Sequence, residues 1–203
     1  MTPLRISVSD LECYRRYKSQ EDVTLEDCLA QLRRETQPSP AMMAGSALHK
    51  ALETMPDEFE GVELVQDGFS FEFLGSIELS IPPVRELKGE MLIETPLGQV
   101  TLVGVVDVIG NEIGDYKLSG RFDAERLADS YQWRCYLMMF NCFKFVYRVF
   151  VGSESKDSAT DWTIKEYHEL PVYRYPGMEA DIQKELEECA AFMSEYVWGR
   201  KAA

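Results

Sequence analysis

No stretch of this 203-residue chain approaches the roughly 20 consecutive apolar residues that a bilayer span requires. A membrane-spanning helix is excluded on that ground. The opening MTPLRISVSDLECYRRYK is too charged for a secretory leader, so a cytoplasmic chain is expected. Cysteine is sparse: five residues, an odd number at wide spacing, which argues against a disulfide framework and for reduced thiols. Internal repeats, linkers and low-complexity tracts are missing, and one domain over residues 1–203 is expected. Basic residues are also in deficit. Against 35 Asp plus Glu stand 21 Lys plus Arg, a formal net charge of -14, and that balance argues against a protein that coats nucleic acid electrostatically.

What is present is an ordinary globular composition, 45% hydrophobic and 28% charged. A chain of this length can bury roughly 70% of its unfolded surface. The acid is unevenly spread. Residues 1–50 are neutral, 51–114 carry -11, 115–152 carry +2 and 153–203 carry -5. A face built from the first and third segments would be locally basic.

Local patterns predict an α/β (α+β) fold. Ser9 with Glu12 has the form of a capping box opening a helix through Tyr17. Thr24 opens TLEDCLAQLRRE, and Ser39 with Pro40 opens a third helix carrying His49. This helical part covers about 1–55. The period then changes to strands: GFSFEFLGSIELSI, two around Pro-Leu-Gly in GEMLIETPLGQVTLVGVVDVIG, and one at EIGDYKLS. Helix is predicted from about Asp123 to Phe143, followed by the strand FKFVYRVFVG and one or two strands in TDWTIKEYHELPVYRY. An acidic amphipathic helix closes the chain over about 176–200. Its Leu186, Phe192 and Tyr196 could form a docking surface.

The chemistry concentrates in GVVDVIGNEIGDYKLS. Asp115 and Lys117, two apart on a strand, share a face. A reversal at Gly110-Asn111 would bring Asp107 beside Asp115. Two carboxylates so placed repel unless a divalent cation lies between them, and Mg²⁺ or Mn²⁺ prefers such hard oxygen ligands. A neighbouring lysine can orient the attacking water and balance charge at a phosphate. Solvated strand ends produce the same triplet by chance. Here, however, both aspartates sit in apolar strands, where an unpaired charge is costly. Gln132 and Tyr136, four apart, share one helix face.

His49, Gly104-x-x-Asp107, Gly114-Asp115-Tyr116-Lys117 and Gln132-x-x-x-Tyr136 together resemble the RecB-type branch of the PD-(D/E)XK nuclease superfamily, including its CRISPR-associated and phage members. The resemblance spans about residues 5–150. It implies a central mixed β-sheet flanked by α-helices. It also implies His49, Asp107, Asp115 and the backbone carbonyl of Tyr116 as metal ligands, Lys117 as the catalytic lysine, and Gln132 and Tyr136 as positioning residues. Arg15, Arg16 and Tyr17 become candidates for DNA contact, with Arg121, Arg126 and Arg134 behind them; Glu90 could reach the metal region. Many CRISPR-associated relatives hold an iron-sulfur cluster on one N-terminal and three C-terminal cysteines. Cys13 matches the first, but Cys189 alone lies in the C-terminal third, so no cluster is expected. Cys28, Cys135, Cys142 and Cys189 are expected to be packing thiols.

The expected function is that of a Mg²⁺- or Mn²⁺-dependent deoxyribonuclease. It would be an exonuclease on single strands or DNA ends, in recombination, repair or phage DNA processing, with a recombinase, helicase or other DNA-processing protein as partner. The alternative is a non-catalytic binding or inhibitory member of the same fold.

Overall fold

The computed structural model describes residues 4–110 and 112–199. All eight strands lie in one mixed sheet, in the order β1 (Leu4–Ser7), β5 (Gly98–Ile109), β6 (Ile113–Ser119), β7 (Lys144–Glu154), β8 (Asp161–Tyr173), β3 (Phe69–Ser80) and β2 (Glu58–Gln66). β4 (Val84–Thr95) pairs with β5 outside that path. The centre is β7, whose FVYRVFV run is buried on both faces and therefore reads as nearly continuous apolar sequence. It pairs parallel with β6 and antiparallel with β8.

Helices cover the sheet, and two apolar clusters form its core. One gathers α1 (Val8–Lys18), α2 (Leu25–Leu32), α5 (Tyr131–Met139) and α6 (Met178–Met193) around Tyr147, Phe145 and Leu102. The other packs α3 (Pro40–Thr54) on Phe71, Phe150, Val108 and Tyr116. The chain is thus an α+β protein with a mixed sheet flanked by helices. Among the described residues no helix is long and apolar enough to cross a membrane.

Several boundaries depart from expectation for local reasons. The first helix opens two residues earlier, with Ser7 as N-cap and Asp10 completing the box. The cause is β1, too short to show a period: its parallel pairing with β5 runs to Ser7, and the helix starts at once. Glu12 is thereby released to receive the Ser130 hydroxyl and the Tyr131 amide, capping α5 from another helix. The helix expected over Asp123–Phe143 is two, α4 (Ala124–Asp129) and α5, broken by the extended backbone of Ser130. The hairpin β2–β3 turns at Asp67-Gly68, both at positive φ. The apolar side of α6 is not a free docking surface. Leu186 is fully buried, and Phe192 packs against Tyr14 at 5.2 Å and Tyr17 at 5.6 Å. Cys13, Cys28, Cys135 and Cys189 are buried free thiols, and Cys142 is half-buried.

Candidate functional site

β5 is bordered by β4 along its length, but its other edge is shared. β1 pairs with Val100–Val103, and β6 pairs only at Val108 and Ile109. Between them, at residues 104–107, the strand edge is forked open. That fork is where the site forms, because its backbone and side-chain groups need other partners. The Tyr136 hydroxyl donates to the Val105 carbonyl at 2.6 Å. Asp107 extends across to β6, where its Oδ2 accepts the Tyr116 amide at 2.7 Å. The register continuing from Val108↔Gly114 sets Asp107 against Asp115. Of the turn assigned to Gly110-Asn111, Asn111 lies outside the described residues.

The two glycines of the motif are required by close approach. A Cβ on Gly104 would stand 2.6 Å from the Tyr136 ring and 2.9 Å from Val8. On Gly114 it would stand 2.6 Å from both Arg148 Nη1 and the Val146 carbonyl oxygen. Gly104 thus admits the tyrosine that holds the open edge, and Gly114 admits a buried arginine paired with Glu112 at 2.6 Å.

Four charged side chains converge at the fork. His49 Nδ1 lies 3.3 Å from Asp107 Oδ2, and Lys117 Nζ lies 2.5 Å from Asp115 Oδ2. Gln132 Nε2 donates to Asp115 Oδ1 at 2.7 Å. Burial pushes the Asp115 carboxyl above the usual carboxylate range against the pull of Lys117, and the charge of Asp107 adds to the push. Burial alone would lower the His49 imidazole, but the hydrogen bond and charge of Asp107 outweigh it and hold the ring above its ordinary value. This is a site short of positive charge.

A divalent cation suits that deficit. Two carboxylates and an imidazole are a donor set that Mg²⁺ or Mn²⁺ accepts. Asp115 Oδ2 is buried, and the Lys117 ammonium is its near neighbour at 2.5 Å. Among the described residues no three His, Cys, Asp or Glu side chains are already drawn together as a cation cage. His49 is turned to Asp107 instead, and the Lys117 ammonium is the counter-charge of Asp115.

The site opens into a groove. A cleft of about 700 Å³, lined by Arg5, Arg16, Lys88, Lys117 and Gln132 among others, adjoins a second of about 300 Å³ that includes Arg121 and Arg126. Glu12, Arg16, Lys117 and Gln132 line both, so the two form one path past Lys117. Its lining holds six basic residues against Glu12 and Asp123, although Arg5 and Lys88 meet Glu90, Arg16 and Arg126 meet Asp22, and Arg121 meets Asp123.

Comparison with known proteins adds a likeness of fold. No family profile and no curated protein matches the chain in sequence. A solved structure that it resembles is the crystal structure of SSO0001, at a TM-score of 0.56 and 16% identity over 96% of this chain and 79% of that one. At that identity the likeness is one of fold alone.

Some expected DNA-contact residues lie elsewhere. Arg15 is buried between Glu12 and Glu21, at 2.9 and 2.7 Å. Tyr17 turns away to Phe192. Arg134 stacks on Tyr131 and Trp133 and donates to the carbonyls of Ala128, Asp129 and Ser130, so it closes the end of α4. Arg16 does line the groove, as do Arg121 and Arg126. Glu90 accepts Arg5 at 3.3 Å and Lys88 at 2.8 Å on the rim, rather than entering the metal region. Tyr136 is a buried wall residue, and the Tyr116 ring packs with Phe150 and the edge of His49. Arg5 and Lys88 were missed because a four-residue strand and an edge strand show no pattern that separates a groove residue from a solvated one.

Proposed function

We propose that the chain is a divalent-metal-dependent deoxyribonuclease, acting as an exonuclease on single strands or DNA ends in recombination, repair or phage DNA processing. The observation that carries this reading is the convergence of His49, Asp107, Asp115, Lys117 and Gln132, of which Lys117 and Gln132 line a groove with several basic residues in a strongly acidic chain. The family resemblance carried by those residues supports it, and such a substrate places the chain in the cytoplasm.

His49, Asp107, Asp115 and the Tyr116 carbonyl would hold Mg²⁺ or Mn²⁺, which when bound polarises a phosphate oxygen and acidifies its water. The remaining steps belong to the chain. Arg5, Arg16 and Lys88 bind phosphates along the groove. Lys117 orients the attacking water and offsets the charge that grows on the phosphate as the P–O bond breaks. Gln132 keeps Asp115 in one rotamer, and Tyr136 holds the groove wall through Val105.

The test is degradation of end-labelled linear DNA and closed circular DNA by purified protein in Mg²⁺, Mn²⁺ or EDTA. Loss of the linear substrate in either metal, with the circle intact and EDTA abolishing activity, is expected. Absence of cleavage in both metals, or undiminished cleavage in EDTA, overturns the reading and leaves a non-catalytic DNA-processing partner in its place.

A further inference from the structure

The groove carries an acid in its wall next to the site. Glu12 of α1 borders both clefts, as do Lys117 and Gln132. A carboxylate there repels an incoming phosphate, so its presence calls for another role. Both of its oxygens are engaged. Oε1 accepts Arg15 Nε at 3.1 Å and Nη2 at 2.9 Å. Oε2 accepts the Ser130 hydroxyl at 3.0 Å and the Tyr131 amide at 2.9 Å. Glu21 pairs with the same Arg15 at 2.7 Å, so Glu12 is anchored on its own helix while it reaches the next.

The two donors that Glu12 receives from that helix open α5. Ser130 is the N-cap, nearly fully buried, and its hydroxyl oxygen accepts the Gln132 amide at 3.1 Å. Gln132 therefore lies on the turn that Glu12 holds, and its side-chain Nε2 donates to Asp115 Oδ1 at 2.7 Å. The hydroxyl of Tyr147, fully buried on β7, lies 3.5 Å from the other end of that side chain, Oε1. A line of contacts thus runs from Glu12 through Ser130, Gln132 and Asp115 to Lys117. Because the helix breaks at Ser130, the start of α5 is set in part by this contact from α1 rather than by a preceding helical turn.

We infer that Glu12 is a positioning residue of the site: it fixes the first turn of α5 and, through Gln132, holds Asp115 beside Lys117. The inference rests on the nuclease reading of the site. It explains why an acid is kept in the wall of a groove that takes phosphates. It also separates two quantities, cleavage rate and DNA affinity, that a general loss of stability would move together.

Single-turnover cleavage of saturating single-stranded DNA in Mn²⁺, with affinity for the same DNA measured in EDTA, tests it. Glu12→Gln removes the charge and keeps one acceptor. It should slow cleavage about tenfold, the scale on which residues behind a site's first ligands act, while affinity holds or rises as the repulsion is removed. Ser130→Gly guards against misfolding, since glycine is a tolerated N-cap and the Arg15 pairs stay intact; it loses the hydroxyl link and should slow cleavage less. In a Gln132→Ala background, Glu12→Gln should change the rate by less than about twofold, because the link it acts through is gone. The same loss in both backgrounds, or a wild-type rate in Glu12→Gln, overturns the role of Glu12 and leaves the nuclease reading standing. So does a slower rate matched by an equal loss of DNA affinity. Absence of cleavage by wild type in Mn²⁺ and Mg²⁺ overturns both.

Discussion

The groove and the β2–β3 hairpin sit at opposite ends of one sheet and handle charge in opposite ways. Residues 58–80 contain six acidic side chains and no basic one. Glu60 is set across from Glu78, and Glu63 from Glu72. These carboxylates are exposed, and water screens them at small cost. At the fork, the buried Asp115 cannot be screened, and its carboxyl is answered by Lys117 and Gln132. The comparison teaches that net charge is a poor guide to partner in this chain. Acid in water is tolerated in quantity, while each buried acid among the described residues meets a basic partner: Asp10 with Arg34, Glu185 with Lys18, Asp107 with His49 and Asp115 with Lys117.

The sharpest test of that contrast is to remove the groove's one lysine at the site. Lys117→Ala should keep fold and DNA binding but lose cleavage by about a thousandfold or more, on the scale of a lost electrostatic stabiliser. Glu72→Ala at the hairpin should cleave as wild type. Equal cleavage rates for Lys117→Ala and wild type would remove the lysine from the mechanism. So would an effect of Glu72→Ala as large as that of Lys117→Ala, because the two regions would then not be separate.

A smaller effect should separate the groove's rim from its floor. Arg5→Ala with Lys88→Ala removes two cations without touching the aspartates, so cleavage at saturating DNA should change little. Affinity for a single-stranded oligonucleotide should fall, and the slope of log affinity against log salt should drop by about two. An unchanged slope would mean that the strand does not run past Arg5 and Lys88.

How far the sequence foretold these regions depends on the kind of signal each residue carries. Asp107, Asp115 and Lys117 were legible because acids embedded in apolar strands break a pattern, and strand periodicity places them together. Helical spacing placed Gln132 and Tyr136 on one face, and the family resemblance singled them out as site residues. Lys88 was not legible, because VRELKGE reads as an ordinary charged edge and only the fold brings it to the groove. Arg15 misled for the opposite reason: a basic residue near the site suggests phosphate contact, and only packing reveals that Glu12 and Glu21 have claimed it. Short β1 escaped notice because four residues cannot display a period, yet its end positions α1 and the fork.

The smallest effect belongs to the hairpin, and it has a definite sign. Glu60→Lys converts a like-charge cross-strand pair with Glu78 into an opposite-charge pair. Both side chains are exposed, so the gain is limited to about 0.5 kcal/mol and should shrink in high salt. Urea melts at low and high ionic strength measure it. Because β7 and β8 separate the hairpin from the β5–β6 fork in the sheet order β1-β5-β6-β7-β8-β3-β2, DNA cleavage should stay at the wild-type rate. If Glu60→Lys instead changes cleavage as strongly as the rim variant changes affinity, the acidic hairpin shapes the field in which DNA approaches, and the division between screened acid and working acid fails. If stability rises and cleavage holds, the hairpin carries six of the chain's 35 acidic side chains without bearing on the chemistry, and a chain of net charge -14 remains compatible with a DNA substrate.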